Sequence, residues 1–354
     1  MRGSRNSLQL HTREGLSMQD GIHRLREKAR FMRRAGALGC GRRGTACTAS
    51  EQQAPSVESL GLLRRNRLRV TFEAHGAETG TPLVLLHGFP YDVHSYREIA
   101  PVLAAEGYRV IVPYLRGYGP TRFLSDDTPR SGEQAVLGND LLQLLDALSL
   151  ESAYLAGYDW GGRAACVVAA LWPKRCRGLV TCNGYNIQNI AQAARSAARP
   201  ADEHRHWYQY YLHGERGRLG LSQNRYEFCK LLWQLWSPNW DFDEQTYAAS
   251  AESFENPDFV DVVVHSYRHR YALVDSDPTV ADVEAQLALQ PDIAVPAIAI
   301  DGDGDGVIPP EGCASHAPRF STAYERRIIP RVGHNIPQEA PAEFAQAIRD
   351  LRAT

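Results

Sequence analysis

The sequence predicts an α/β fold: a mostly parallel central sheet with helices on both faces and a helical insertion late in the chain. Three observations carry this. Short continuous apolar runs such as Pro82-Leu83-Val84-Leu85-Leu86 recur, as in strands buried on both faces. Amphipathic helical stretches alternate with them, the pattern of a covered parallel sheet. The alternation stops near Gly184 and resumes near Ala294, with an aromatic, helical stretch between.

Composition narrows the function classes. The chain has 354 residues, 44% hydrophobic and 23% charged, which is ordinary for a globular protein and long enough for one large α/β domain with an insertion. A formal net charge of -2 argues against nucleic acid as the main ligand. Seven dispersed cysteines form no C-x-x-C pair and read as the reduced thiols of a cytosolic protein. No apolar run is long enough to cross a membrane. The cysteines show no zinc spacing either.

Residues 1–60 differ from the rest. They are rich in Arg, Gly and Ser and carry almost no strand pattern. They read as a disordered or mis-started basic tail, with Met18 as a later start. Acidic residues weaken a targeting reading. The apolar stretch after Arg33-Arg34 is too short for a twin-arginine signal.

The core is expected at 61–184 and 286–354, and the helical cap at 185–285. Strands are predicted at Arg67–Glu73, Pro82–Leu86, Tyr108–Val112, Glu151–Leu155, Gly178–Cys182, Ala294–Ile300 and Tyr324–Ile329. Helices are predicted at Ser95–Ala105, Gly132–Leu148, Ala164–Trp172 and Glu339–Leu351. In the insertion, His206-Trp207-Tyr208-Gln209-Tyr210-Tyr211, Trp233, Trp236, Trp240 and Tyr267 supply apolar and aromatic surface.

The organising stretch is Ala156-Gly157-Tyr158-Asp159-Trp160-Gly161-Gly162. Small residues sit two before Asp159 and two and three after it. That is the spacing of a strand-to-helix elbow that exposes its central side chain at the end of the sheet. An Asp ahead of a helix is also an ordinary N-cap. A carboxylate at an elbow suits displacement at a saturated carbon, which gives a stable ester, and does not suit attack on an ester or amide carbonyl.

Two further acid–base groups follow predicted strands. One lies in Asp301-Gly302-Asp303-Gly304-Asp305, the other in Val332-Gly333-His334-Asn335. The aspartates resemble part of a calcium loop, but no glutamate closes it. The order acid nucleophile, acid, histidine brings all three to the carboxyl ends of the strands, where ligands of parallel sheets bind.

His87-Gly88-Phe89-Pro90, Gly157-Tyr158-Asp159-Trp160-Gly161-Gly162 and Gly333-His334 together resemble the α/β-hydrolase superfamily, in its epoxide hydrolase-like branch. The resemblance covers about residues 60–352. It implies that Asp159 is the nucleophile, that His334 activates water and that Asp305 orients the histidine, with Asp303 as the alternative. It implies an oxyanion hole from the backbone N–H groups of Phe89 and Trp160, beside a Phe89–Pro90 bond that is often cis in relatives. Tyr208 of Tyr208-Gln209 and Tyr267 of Tyr267-Arg268 would polarise an epoxide oxygen. His87, Pro90, Tyr158 and Gln209 would surround the substrate. The chain departs from the pattern at Tyr158, where relatives carry His, at Tyr114, where they carry Asp, and after Pro90, where their tryptophan is missing. The implied activity is hydrolysis of a small-molecule epoxide to a diol through an Asp159 ester, with no metal or cofactor required; a homodimer stays open. Dehalogenation with the same nucleophile, and a non-catalytic binding protein of the same fold, are the alternatives.

Overall fold

The computed structural model describes residues 56–63 and 68–353; residues 1–55 of the expected tail lie outside them. Among the described residues the strands are β1 (Ser56–Leu63), β2 (Leu68–His75), β3 (Thr81–Leu86), β4 (Tyr108–Pro113), β5 (Arg122–Phe123), β6 (Ala153–Gly157), β7 (Cys176–Cys182), β8 (Ala297–Gly302) and β9 (Tyr324–Ile329). They join one sheet in the order β1-β2-β4-β3-β6-β7-β8-β9, with β5 beside β2. The pairs of β2 with β1, β4 and β5 are antiparallel, and every pair from β4–β3 to β8–β9 is parallel.

Position in the sheet explains sequence. In central β3, Leu83, Val84, Leu85 and Leu86 are all buried, because helices cover both faces. Edge strand β9 reads Tyr-Glu-Arg-Arg-Ile-Ile and is half-exposed along its length. The helix Gln134–Ala147 buries Leu141, Leu144 and Leu145 and packs on the helix Asp159–Leu171. Fully burying each such leucine stabilises the fold by roughly 1.5–3 kcal/mol.

Among the boundaries that differ from the sequence reading, three change an element's extent or place in the sheet. Strand β1 begins at Ser56, inside the stretch assigned to the tail. As an outer strand it takes its order from pairing with β2, so its own residues need no strong pattern. The predicted helix at Ser95–Ala105 is split into a 3-10 turn Val93–Tyr96 and a helix Ile99–Ala105. The sheet resumes only at Ala297, after a helix that runs to Leu287.

Between β7 and β8 the described chain is helical, from Ile190 to Leu287. Its hydrogen bonds land on loops at the carboxyl ends of the strands. Trp233 Nε1 donates to the Pro90 carbonyl at 2.7 Å after β3. The Gly119 amide after β4 donates to the Ser253 carbonyl at 2.8 Å. The Gly306 amide after β8 donates to the Trp236 carbonyl at 2.9 Å. Asp92 is fully buried and accepts from the Ser250 and Ser253 hydroxyls at 2.7 and 2.6 Å. A buried carboxylate needs such donors, and here two of them come from the insertion. Among the described residues no helix is long and apolar enough to cross a membrane.

Candidate active site

Asp159 follows β6 and opens the helix Asp159–Leu171 with φ of 48°, a left-handed conformation that a non-glycine residue adopts at a cost of about 1–3 kcal/mol. The turn closes only because its neighbours lack side chains. A Cβ on Gly161 would lie 2.1 Å from the Leu86 carbonyl oxygen, and one on Gly88 would lie 2.5 Å from Asp159 Cβ. The helix start places the positive end of its dipole at the carboxylate. The Phe89 amide donates to Asp159 Oδ1 at 2.7 Å. Trp160 contributes a first-turn N–H, one of the donors that a helix start leaves without an intrahelical acceptor.

His334 stands across from Asp159, with Nε2 3.8 Å from Asp159 Oδ2. Its Nδ1 is 2.8 Å from Asp305 Oδ2, so Asp305 and not Asp303 holds the imidazole. Asp305 is itself fixed: Oδ1 accepts from the Val307 and Ile308 amides, both at 2.8 Å, and Asn183 Nδ2 donates to Oδ2 at 3.2 Å. The other two aspartates of that loop turn elsewhere. Asp301 pairs with Arg326 at 2.6 Å, and Asp303 accepts from the Arg331 amide. The three carboxylates thus each have a different partner.

The electrostatics follow from these contacts. Burial alone would lower the His334 pKa, but the flanking carboxylates of Asp305 and Asp159 outweigh it and raise it to about 10. Burial alone would favour the protonated form of Asp159. His334 by hydrogen bond and charge, the charge of Arg270 and the Phe89 amide prevail, and its pKa lies below the usual carboxylate value.

A cavity of about 400 Å³ opens on this pair. Asp159, His334, Tyr208 and Gln209 line it, together with Arg163 and Arg270. Gln209 Nε2 donates to the Tyr208 hydroxyl oxygen at 3.0 Å. That bond occupies a lone pair and leaves the hydroxyl hydrogen free to be given to something else. Tyr267 is fully buried behind Tyr208, their ring centroids 5.2 Å apart, and its hydroxyl has no partner. Tyr267 does not itself line the cavity, whereas Tyr208 does.

Three residues expected around the substrate are placed elsewhere. His87 donates from Nδ1 to the Gly88 carbonyl at 3.0 Å and accepts at Nε2 from the Leu115 amide at 3.1 Å, so both ring nitrogens serve the backbone. Tyr158 is buried with its hydroxyl 2.7 Å from Ser95 Oγ, and together with Tyr91 and Trp236 it walls the His334 ring. The Phe89–Pro90 bond is cis, and the Pro90 carbonyl is taken by Trp233. None of the three borders the cavity. Conversely, sequence reasoning missed Arg163 and Arg270. Arg163 lies four residues after Asp159, one helical turn on, so spacing alone could have found it. Arg268 of the Tyr-Arg pair turns its Nε to the His213 carbonyl at 3.0 Å, and Arg270 faces the cavity instead.

A sheet of this strand order, with a strained residue at the turn after β6 and an acid and a histidine after β8 and β9, defines an α/β-hydrolase fold. The model of the alpha/beta hydrolase fold family matches residues 81–341, and the chain belongs to that family. It is similar to epoxide hydrolase B of Mycobacterium tuberculosis, 33% identical over 161 residues, which are 42% of this chain and 44% of that protein. The chain thus spans less than half the length of that curated relative. A provisionally assigned epoxide hydrolase of known structure from Klebsiella pneumoniae is 42% identical, with a TM-score of 0.81 over 84% of this chain and 97% of its own. The chain is also similar to the dihydrolipoyllysine-residue acetyltransferase component of an acetoin-cleaving system of Pseudomonas putida, 30% identical over 308 residues, which are 84% of this chain and 70% of that protein.

Proposed function

We propose that the protein is an epoxide hydrolase whose helical cap and α/β core together enclose an Asp159 nucleophile. The observation that carries this reading is a carboxylate at the elbow, facing a cavity that it shares with a histidine and a tyrosine hydroxyl. The relatives named as epoxide hydrolases support it.

In this account Asp159 attacks an epoxide carbon and the carbon–oxygen bond of the ring breaks. Tyr208, with Tyr267 behind it, donates a hydrogen bond to the developing alkoxide. Forming the ester removes one of the two carboxylates that keep His334 protonated. Its pKa falls, and its proton passes in net terms to the alkoxide. Neutral His334 then takes a proton from water as the water attacks the Asp159 carboxyl carbon. The tetrahedral oxyanion rests on the Phe89 and Trp160 amides, and Asp305 holds the imidazole. Collapse releases the diol and restores the Asp159 carboxylate and protonated His334.

Trp160 Nε1 is buried without a partner, the kind of donor a leaving halide needs, and this favours dehalogenation as the second reading. The tyrosine hydroxyl in the cavity has no use there. A panel of terminal and aryl epoxides and haloalkanes separates them. Diol formation without halide release is expected; halide release with no diol would reverse the assignment.

A further inference from the structure

The cavity holds more positive charge than the reaction requires. Arg163 and Arg270 both line it beside Asp159. Arg270 is only 7% exposed, and its Nη2 is buried without a hydrogen-bond partner. Its guanidinium lies over the Tyr267 ring, 4.6 Å from the ring centroid, which fixes its plane without using its N–H groups. Arg163 makes one long hydrogen bond, from Nη1 to the Asn186 carbonyl at 3.3 Å. Burial first, and then the charge of Arg270, depress the Arg163 pKa to about 10, so the two cations lie within each other's field.

Among the described residues neither arginine has a carboxylate within ion-pair distance. The other acid of the cavity wall, Asp202, is already held by Arg199 and Arg205, each at 2.8 Å. A buried cation such as Arg270, with Nη2 unpartnered, is costly and is kept where something pairs with it. Among the groups that line the inner cavity, with Asp305 balancing His334, the two arginines face only Asp159, a local excess of one positive charge; Glu284, whose charge also reaches Arg163, does not line the cavity, and burial raises its pKa toward the neutral form. A single negative charge on the ligand cancels that excess. The planar fork of a guanidinium matches a carboxylate in particular.

We propose, resting on the epoxide-opening reading, that the substrate is an epoxide bearing a carboxylate, held by Arg163 and Arg270. The two guanidiniums offset the repulsion the anion would otherwise feel from Asp159, and the Tyr267 ring ties the Arg270 guanidinium to the ring-opening end of the site.

The test uses the wild-type protein, short terminal epoxyalkanoates and the matching primary amides, with the unreactive alkanoate and alkanamide as binding probes in calorimetry. Charge-assisted hydrogen bonds of this kind give a preference in kcat/KM for the acid of roughly 100-fold over the amide. Arg270→Met should reduce that ratio to below about 5, mainly through KM, and Arg270→Lys should restore part of it. Arg163→Met provides a second variant should the first lose its thermal transition. Equal turnover of acid and amide, with the ratio unchanged in both variants, overturns the anion site while leaving epoxide hydrolysis intact. Binding of the alkanoate and not the alkanamide, with no turnover of any epoxide, keeps the anion site and overturns the epoxide reading. Neither binding nor turnover overturns both.

Discussion

Two fully buried histidines feel the charge of the same carboxylate, Asp159, yet their pKa values move in opposite directions. His87, after β3, has its pKa pushed down to about 4: burial dominates, and its hydrogen bonds to the Gly88 carbonyl and the Leu115 amide fix it as a neutral ring. His334, after β9, is pushed up to about 10, because Asp305 and Asp159 outweigh the same burial. Burial sets the cost of charge in both places, and the neighbours decide whether it is met. A histidine held by backbone becomes part of the scaffold. One held between two carboxylates has a protonation state that depends on the charge of Asp159, which the proposed mechanism uses.

The largest contrast is in turnover. His334→Gln should lose roughly 1000-fold or more in steady-state rate yet still alkylate Asp159. Intact mass spectrometry after mixing with an active epoxide should show an adduct one substrate heavier. An unmodified mass would remove His334 from the hydrolytic step.

The ring-opening side comes next. Tyr208→Phe should slow alkylation by roughly 10- to 1000-fold. Tyr267→Phe should cost less, since Tyr208 lines the cavity and Tyr267 lies behind it. Pre-steady-state kinetics would read both, and equal effects would break that ranking.

The two titrations give a third test. A folded-state pKa raised above 6.5 makes protonated His334 a source of stability that is fully present below about pH 6.5 and lost as pH rises toward about 10. His87 acts in the other window, with stability lost as pH falls from about 6.5 through about 4. In Asp159→Asn the His334 resonance should titrate well below its wild-type value, while His87 stays neutral across the neutral range. Unchanged His334 titration by NMR would show that Asp159 does not hold its proton.

The smallest effect is structural. His87→Ala leaves the buried Leu115 amide unpaired, while the Gly88 carbonyl keeps the Tyr91 amide, and should cost about 1–3 kcal/mol in denaturant unfolding.

The same contrast explains what the sequence could disclose. The elbow was legible because its geometry demands small residues at fixed spacing, and Gly161 against Leu86 shows why. The aspartate loop and His334 stood out in the sequence because each follows a recognisable strand, but the pattern left Asp305 and Asp303 open, and only the contact with His334 Nδ1 separates them. The role of His87 was not, since a histidine between two backbone groups carries no pattern that separates it from one facing a ligand. Strand β1 was hidden because an outer strand needs only a partner. Arg270 was hidden because it stands at the end of a helix, where no periodicity states which way a side chain turns.

The central claim, that Asp159 is a nucleophile and not a general base, is tested most directly by a single turnover in heavy-oxygen water with enzyme in excess. Through the ester, the oxygen given to substrate is first a carboxylate oxygen of Asp159, and solvent oxygen enters the carboxylate only on hydrolysis. The diol should therefore carry mostly ordinary oxygen, and the label should appear in the peptide containing Asp159. Label in the diol at first turnover, with none in that peptide, would contradict the account.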